Sequence, residues 1–409
     1  MKMIRVVHTW ALPAVVFLIP WGARVIFLQP QVDGVTVEAL TLSLFAVELL
    51  VYVAAAVSVR TVRRRPSSAP RRAEFVLFVL VLWALASALW SPVPALAMQA
   101  AVRLLAAALL LYLLARQEDL GRVRDAFLLS AALQAGLGLW QLFAHEIGAS
   151  TLLGVAAQHA AGPSAVIESA AGRLLRAYGT FPHPNVLGGF LAAALVVALA
   201  DWRQGRAGIV VSGAVPLIAA GLLASFSRSA WIAAAAGAFV LVAYLRLDHR
   251  LWLRLVAVGV VGILFAILVQ PYLVARVTAD GRLEERSINE RKLALIQARG
   301  IFLAAPLTGV GIGQTVPALI RAGEPLLEPP HLVPAVVITE LGPVGLLLAA
   351  AFLLTLFPRG RRVSPEAAAL AACAAVLSLF DHYLWTAVPG LLLGALIFAL
   401  LLDHPRQTP

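Results

Sequence analysis

Isolated guanidinium, imidazole and amide groups stand in short polar segments of this sequence, between long apolar ones. Such groups can pair with an anion or accept a proton. LLRAYGTFPHPN, Leu174 to Asn185, carries Arg176, His183 and Asn185 on a backbone that Gly179, Pro182 and Pro184 prevent from continuing as helix. It reads either as a fixed bend offering polar groups to a ligand or as a proline-stiffened, solvated loop. SFSRSAW, Ser225 to Trp231, sets Arg228 between serines. An arginine there requires an anion or carboxylate partner, or else snorkels to lipid phosphate. Arg291 follows the capping-box spacing Ser287 to Glu290, so it belongs to the first turn of an expected helix that Pro306 stops. Free N–H groups in a first turn attract anions, and a solvated charge on an interfacial helix is the plainer reading. His331 comes directly after Pro329 and Pro330, with Glu340 nine residues deeper, roughly 13 Å along a helix. It is a candidate general base or a helix cap. In LFDHYLWT, Leu379 to Thr386, Asp381 and His382 form either a short polar turn or a pair that orients a neighbour.

The elements that hold these residues follow from composition. Hydrophobic residues make up 61% of 409 positions, charged residues 13%, and mean hydropathy is +0.90. A soluble domain cannot hide that much apolar surface. A bilayer span takes roughly 20 apolar residues, and apolar stretches near 10–28, 39–59, 75–90, 96–115, 126–144, 185–200, 208–225, 230–245, 254–270, 332–357, 366–380 and 385–402 fit that length. The expected fold class is therefore all-α, a polytopic membrane helical bundle of about 12 transmembrane helices. Trp10 to Leu28 lacks a small-residue cleavage site and reads as the first span. The net charge of +11 comes from arginines clustered between apolar stretches, which excludes a nucleic-acid-binding reading. The single cysteine, Cys373, excludes an internal disulfide.

Arginine placement predicts the topology. Arg60, Arg63, Arg64, Arg65, Arg71 and Arg72, then Arg116, Arg122 and Arg124, then Arg203 and Arg206, then Arg246, Arg250 and Arg254, and finally Arg359, Arg361 and Arg362 occupy alternate loops. These loops are cytoplasmic by the positive-inside rule, and both termini fall on that side. Residues 1–409 read as one polytopic membrane domain. Residues 145–184 form a first outer loop, and residues 271–331 form a large helical outer loop between helices 9 and 10, with an interfacial helix over 288–304. Long outer loops are where a helical scaffold carries its chemistry. Arg24, Arg103 and Glu48 fall within expected spans, where an Arg24–Glu48 or Arg103–Glu48 pair is the simplest arrangement. The glycines of PLTGVGIGQ imitate a dinucleotide fingerprint, but they follow no strand, so a nucleotide site is not expected. The outer loops have no D-x-D motif or clustered carboxylates, and adjacent Glu284 and Glu285 diverge on a helix. No cofactor and no metal are expected.

The ordered set LWS (Leu89–Ser91), RAYGTFPHPN, SFSRSAW, Arg291 ahead of PLTGVG, His331 followed by ITELGPVG, and FDHYLWT resembles the O-antigen ligase and polymerase family. The matches run from about Leu89 to Trp385. The resemblance implies a two-lobed helical membrane glycosyltransferase of the bacterial cytoplasmic membrane. Its donor is a glycan on a polyprenyl (undecaprenyl) diphosphate carrier, and its active site faces outward. It implies that Arg228 and Arg291 contact the diphosphate, that His331 is the catalytic histidine, and that Arg176 belongs to the loop around the same cavity. One position departs: the family often has Asn after this histidine, and Leu332 stands here. The implied partners are that donor, the lipid bilayer, and a hydroxyl acceptor on the lipid A-core glycan, a growing glycan or a protein. The ligase is favoured over the polymerase and the protein O-oligosaccharyltransferase. A flippase or transporter of lipid-linked glycans is the non-enzymatic alternative, and it predicts repeat symmetry between halves, which the sequence lacks.

Overall fold

A computed structural model of the chain describes residues 2–62, 66–203, 209–244, 249–278, 282–357 and 363–403. The expected loop residues Arg63, Arg64, Arg65, Arg206, Arg246, Arg359, Arg361 and Arg362 lie outside the described residues. The chain is mostly helical. In order come α1 (Lys2–Phe17), β1 (Arg24–Leu28), β2 (Gln31–Val32), β3 (Val35–Thr36), β4 (Leu42–Phe45), α2 (Ala46–Val62), α3 (Arg71–Ala86), α4 (Pro94–Leu114) and α5 (Gly121–Ala144). Then come β5 (Glu146–Ile147), β6 (Gln158–His159), β7 (Val166–Ser169), β8 (Gly172–Leu175), α6 (Pro184–Arg203), α7 (Ile209–Ala224), α8 (Arg228–Ala243), α9 (His249–Leu268) and α10 (Gln270–Thr278). Last are α11 (Arg282–Ala304), α12 (Thr315–Ala322), α13 (Val333–Leu356), α14 (Pro365–Phe380), α15 (Tyr383–Thr386) and α16 (Val388–Leu401).

Each expected apolar stretch contains a helix. Among the described residues, five are long and apolar enough to cross a membrane: Arg71–Leu89, Pro94–Leu114, Gly121–Ala144, Pro184–Trp202 and Val333–Leu356. A sixth crossing is available if Leu255–Leu268 and Gln270–Thr278, bent by 96° at Val269, count as one broken span. The all-α expectation takes a small correction. Among the described residues, four two-stranded antiparallel ladders, β1–β4, β2–β3, β5–β6 and β7–β8, occupy segments read as helix or plain loop. The first expected span is corrected too. Helix ends at Phe17, and Arg24 stands on β1, paired with Glu38 rather than Glu48. Pro20 and Gly22 break the helical run.

The chain packs as two units. The first comprises Met1–Ala23, Asp119–Ile288 and Ser364–Leu377. Its centre is α6, a Leu/Ala/Val helix that is wholly buried. Because α6 is apolar on every face, it packs within the bundle, against α5, α7 and α8. One buried ion pair, Arg124 to Asp201 at 2.9 Å, joins α5 to α6. Beside the helices, β7 and β8 enclose a small core of Ile147, Val166, Leu175 and Tyr178. Tyr178 Oη accepts the Ala165 N–H at 2.7 Å, which ties the ladder to the AYGTFPHPN segment.

The second unit comprises Arg24–Glu118, Asn289–Val363 and Ser378–Pro409. In it α3 packs on α13 and α4 on α16, with α2 against α4. Arg103 lies 3.5 Å from Glu48, the pair expected for these residues, and donates to the Ser43 carbonyl at 3.1 Å. Helix α13 is broken inside at Gly342 (φ 67°, ψ −172°), followed by Pro343. Proline lacks the N–H that continues a helical ladder, so carbonyls ahead of it need other donors. Glycine supplies the positive φ without a side-chain clash.

Candidate functional site

In the first unit, the polar residues of two sequence motifs meet. Gly188 on α6 sits so close to the SFSRS turn that an added Cβ would lie 2.8 Å from Ser225 Oγ and 2.9 Å from Ser227 Cβ. That contact brings the start of α6 against the start of α8. Arg176 donates through Nε to the Ser225 carbonyl at 2.8 Å and through Nη2 to Asn185 Oδ1 at 2.7 Å. His183 Nδ1 accepts the Asn185 N–H at 3.1 Å. Ser227 is the N-cap of α8, its side chain accepting from the Ala230 N–H, and Arg228 is the first residue of that helix. The structure therefore brings Arg176, His183, Asn185 and the Arg228 segment together.

Sequence reasoning missed one member of this cluster. Arg276, on the short α10, is buried and donates through Nε to the Phe226 carbonyl at 2.9 Å. Its own carbonyl accepts from Arg228 Nη1 at 3.4 Å. Arg176 and Arg276 thus clamp consecutive carbonyls of a turn whose Phe226 has φ 48°, and Arg228 follows two residues later. Three guanidiniums around one tight turn give a strongly positive locale suited to phosphate oxygens. The available signal for Arg276 was its charge in an outer segment, against the cytoplasmic bias used for the other arginines.

The second unit gathers the other candidates at the entry to α13. His331 Nδ1 lies 3.5 Å from Asp381 Oδ1, and Nε2 lies 4.0 Å from Glu328 Oε2. The His331 and His382 rings are 4.9 Å apart, centre to centre. Asp381 is buried and accepts the His382 N–H at 2.8 Å, which fixes the turn ahead of α15. His382 Nδ1 lies 2.7 Å from Thr386 Oγ1, whose hydroxyl reaches the His382 carbonyl at 3.3 Å. Burial pushes the His382 imidazole down to about 4; Asp381 opposes this, while His331 and Arg291 add to it. Arg291 is thus near enough for its charge to be felt at the cluster. Its setting corrects the first-turn expectation. The helix begins at Arg282 because Leu283 to Arg286 are good helix formers, so Ser287 is interior and Arg291 sits mid-helix. Attraction at Arg291 comes from its guanidinium, not from free backbone N–H groups.

Beneath this cluster, backbone hydrogen bonds join the two glycine-bearing motifs. The Thr339 carbonyl accepts the Val310 N–H at 3.0 Å, and the Glu340 carbonyl accepts the Gly311 N–H at 2.8 Å. The break at Gly342 leaves those carbonyls for the PLTGVG loop, so these glycines serve a close backbone packing. LWS belongs to the same assembly: Ser91 packs on Gly311, and just ahead of the motif Ser87 Oγ accepts the Ile312 N–H at 3.0 Å. The Glu340 side chain is buried and accepts from Trp385 Nε1 and Thr315 Oγ1, both at 2.9 Å. It ties α13 to α12 and to α15.

His331, Asp381 and His382 together offer two imidazole nitrogens and a carboxylate oxygen, all within 4.8 Å of one another. A second histidine beside the first was not weighed as a ligand group at the level of sequence.

Comparison with the curated proteins finds no match. Residues 213–350 match the family model described as O-Antigen ligase, a stretch that holds Arg228, Arg276, Arg291, His331 and Glu340. The apolar helices and this match point to a multi-pass protein of the bacterial inner membrane with glycosyltransferase-type activity and lipid-linked glycan partners. The match covers about a third of the chain, including Arg228, Arg276, Arg291 and His331 but not the 174–185 or 379–386 segments, and it supports an O-antigen ligase/polymerase family assignment.

Proposed function

We propose that the chain moves a glycan from a polyprenyl (undecaprenyl) diphosphate carrier to an acceptor hydroxyl, such as one on the lipid A-core glycan, at the extracytoplasmic face. The observation that carries this reading is the Asp381–His331 pair, 3.5 Å apart, with the Arg291 charge beside it. Asp381 orients His331 through Nδ1–H, which leaves the Nε2 lone pair to accept the acceptor's hydroxyl proton. A separation of 3.5 Å is long for a hydrogen bond, and such contacts tighten when substrate is bound. The acceptor oxygen bonds to the anomeric carbon as that carbon's bond to the diphosphate oxygen breaks. The products are an inverted glycoside, polyprenyl diphosphate and a proton on Nε2. Arg291 stabilises the charge gathering on the departing diphosphate, a role guanidinium forks perform best when preorganised, and the family resemblance assigns Arg228 a diphosphate contact. This proposed chemistry needs no metal, and a chelator is expected to leave basal transfer unchanged.

The test is transfer in proteoliposomes supplied with polyprenyl-diphosphate glycan and acceptor, with no ion gradient. His331→Ala is expected to abolish product while donor binding persists, and Arg228→Ala or Arg291→Ala to weaken donor binding as well as turnover. Product formation without a gradient separates an enzyme from a transporter. Full activity in His331→Ala would remove the histidine from the base role. Supplying core glycolipid, growing glycan or protein in turn identifies the acceptor.

A further inference from the structure

The geometry points to a second use of the α13 entry cluster: we propose that His331, Asp381 and His382 form a binding site for a divalent transition-metal ion of the zinc type, and that filling it switches transfer off. Zinc prefers nitrogen and carboxylate ligands in a tetrahedron with bonds of about 2.0–2.1 Å, so its ligand atoms stand roughly 3.3 Å apart. His331 Nδ1 and Asp381 Oδ1 already stand at 3.5 Å. All three ligand atoms lie within 4.8 Å of one another, so modest side-chain rotation completes three corners, and water supplies the fourth. His331 Nδ1 is buried with no hydrogen-bond partner among the described residues. A buried imidazole nitrogen that faces a carboxylate at 3.5 Å without a hydrogen bond can hold either a proton or a metal there.

The surroundings of the three ligands fit the same reading. The Thr386 hydroxyl donates to the His382 carbonyl and so accepts from His382 Nδ1–H, which leaves Nε2 as that ring's free lone pair for a metal. Ligating histidines characteristically donate their other ring N–H in this way. Glu328, 4.0 Å from His331 Nε2, is the matching acceptor for the other ring. Soft thiolates are not involved, since the lone Cys373 is buried on α14. Two imidazoles and one carboxylate select zinc, cobalt or copper over magnesium or calcium.

Inhibition follows from the arithmetic of one imidazole. A neutral ring has one lone pair and one N–H. Metal at Nδ1 takes the lone pair and fixes the proton on Nε2, so the ring no longer accepts the acceptor's proton. No bond to substrate is needed for the block. Metal binding rests on the cluster geometry alone, whereas the block rests on the base role proposed above.

The experiment uses the full chain in detergent, stripped with a chelator and titrated with Co²⁺ as a coloured substitute for zinc. The expected result is one saturable equivalent per chain with visible ligand-field absorption, displaced by Zn²⁺. His382→Ala and Asp381→Asn are expected to lose it. His382→Cys is expected to keep it and to add a thiolate-to-cobalt charge-transfer band, which controls for misfolding. No saturable binding by the wild-type chain, or binding unchanged in both loss variants, would overturn the site. Transfer is then assayed with the metal bound; at least a tenfold loss, reversed by chelator, is expected. Undiminished transfer with the site demonstrably filled would overturn the block, and with it the base role of His331, while the metal site stands.

Discussion

Glu340 and Trp385 offer the sharpest quantitative test of how the α13 entry is held. The carboxylate is 2% exposed and accepts the indole N–H at 2.9 Å and the Thr315 hydroxyl at 2.9 Å. Hydrogen bonds to a charged group contribute about 1.5–3 kcal/mol each, and a buried donor left unmatched costs a similar amount. Trp385→Phe and Glu340→Ala each break the tether, but the double variant breaks it only once. A double-mutant cycle is therefore expected to return a coupling of about 1.5–3 kcal/mol, equivalent to roughly 10- to 150-fold in an equilibrium. With Glu340→Gln in place of alanine, the Gln Oε1 still accepts the indole N–H, so the cycle is expected to return only the difference between a charged and a neutral pair, about 1–1.5 kcal/mol. Unfolding titrations in mixed detergent micelles give the four stabilities. Trp385 lies on α15, directly after Asp381 and His382, so turnover is expected to fall with stability in Trp385→Phe. Energies that add to within about 0.5 kcal/mol would refute the tether, because independent sites behave that way.

Three shorter predictions follow from the same structure. Gly188→Ala forces a Cβ to 2.8–2.9 Å from Ser225 and Ser227; overpacking of this kind costs about 1–3 kcal/mol, read as a lower unfolding midpoint. Arg276→Ala strips the donor from the Phe226 carbonyl, and donor KM is expected to rise while His331-dependent chemistry is retained. His382 titrates at about 4 in the folded chain against an ordinary 6.5. The unfolded chain then binds the extra proton between those values, so this contribution is complete above pH 6.5 and is lost as pH falls towards 4, about 3 kcal/mol in all. His382→Gln is expected to flatten that part of a stability-against-pH curve.

Apolar stretches were legible because a span needs a long apolar run, and every such run contains a helix; the arginines read as loop residues were less so, since Arg60, Arg71, Arg72, Arg122, Arg124, Arg203, Arg250 and Arg254 stand on helices. The contents of the outer segments were less legible. Ladders β7–β8 and β1–β4 are four or five residues long, too short for alternation to stand out against an apolar background. A capping box identified Ser287, yet helix formers upstream carried the element past it. Arg176, Asn185 and Arg228 could be singled out because prolines and serines mark their segments. Arg276 carried no such punctuation. The apposition of His331 and His382 depends on a meeting of α13 and α15 that no spacing along the chain encodes.

The contact between Gly309 and Gly342 has a practical consequence for anyone building variants of this chain. A methyl group at Gly342 would meet the Leu307 carbonyl, and one at Gly309 would meet the Glu340 carbonyl at 2.5 Å. The junction is therefore main chain against main chain, and flanking side chains contribute little to its shape. In a saturation library over 305–345, those two columns are expected to be nearly empty, whereas exposed Leu307 tolerates most apolar replacements. Tags, reporters or sequence diversity intended for this region belong on the far side of α12, at the Gly323 turn, where an added Cβ meets nothing within 4 Å.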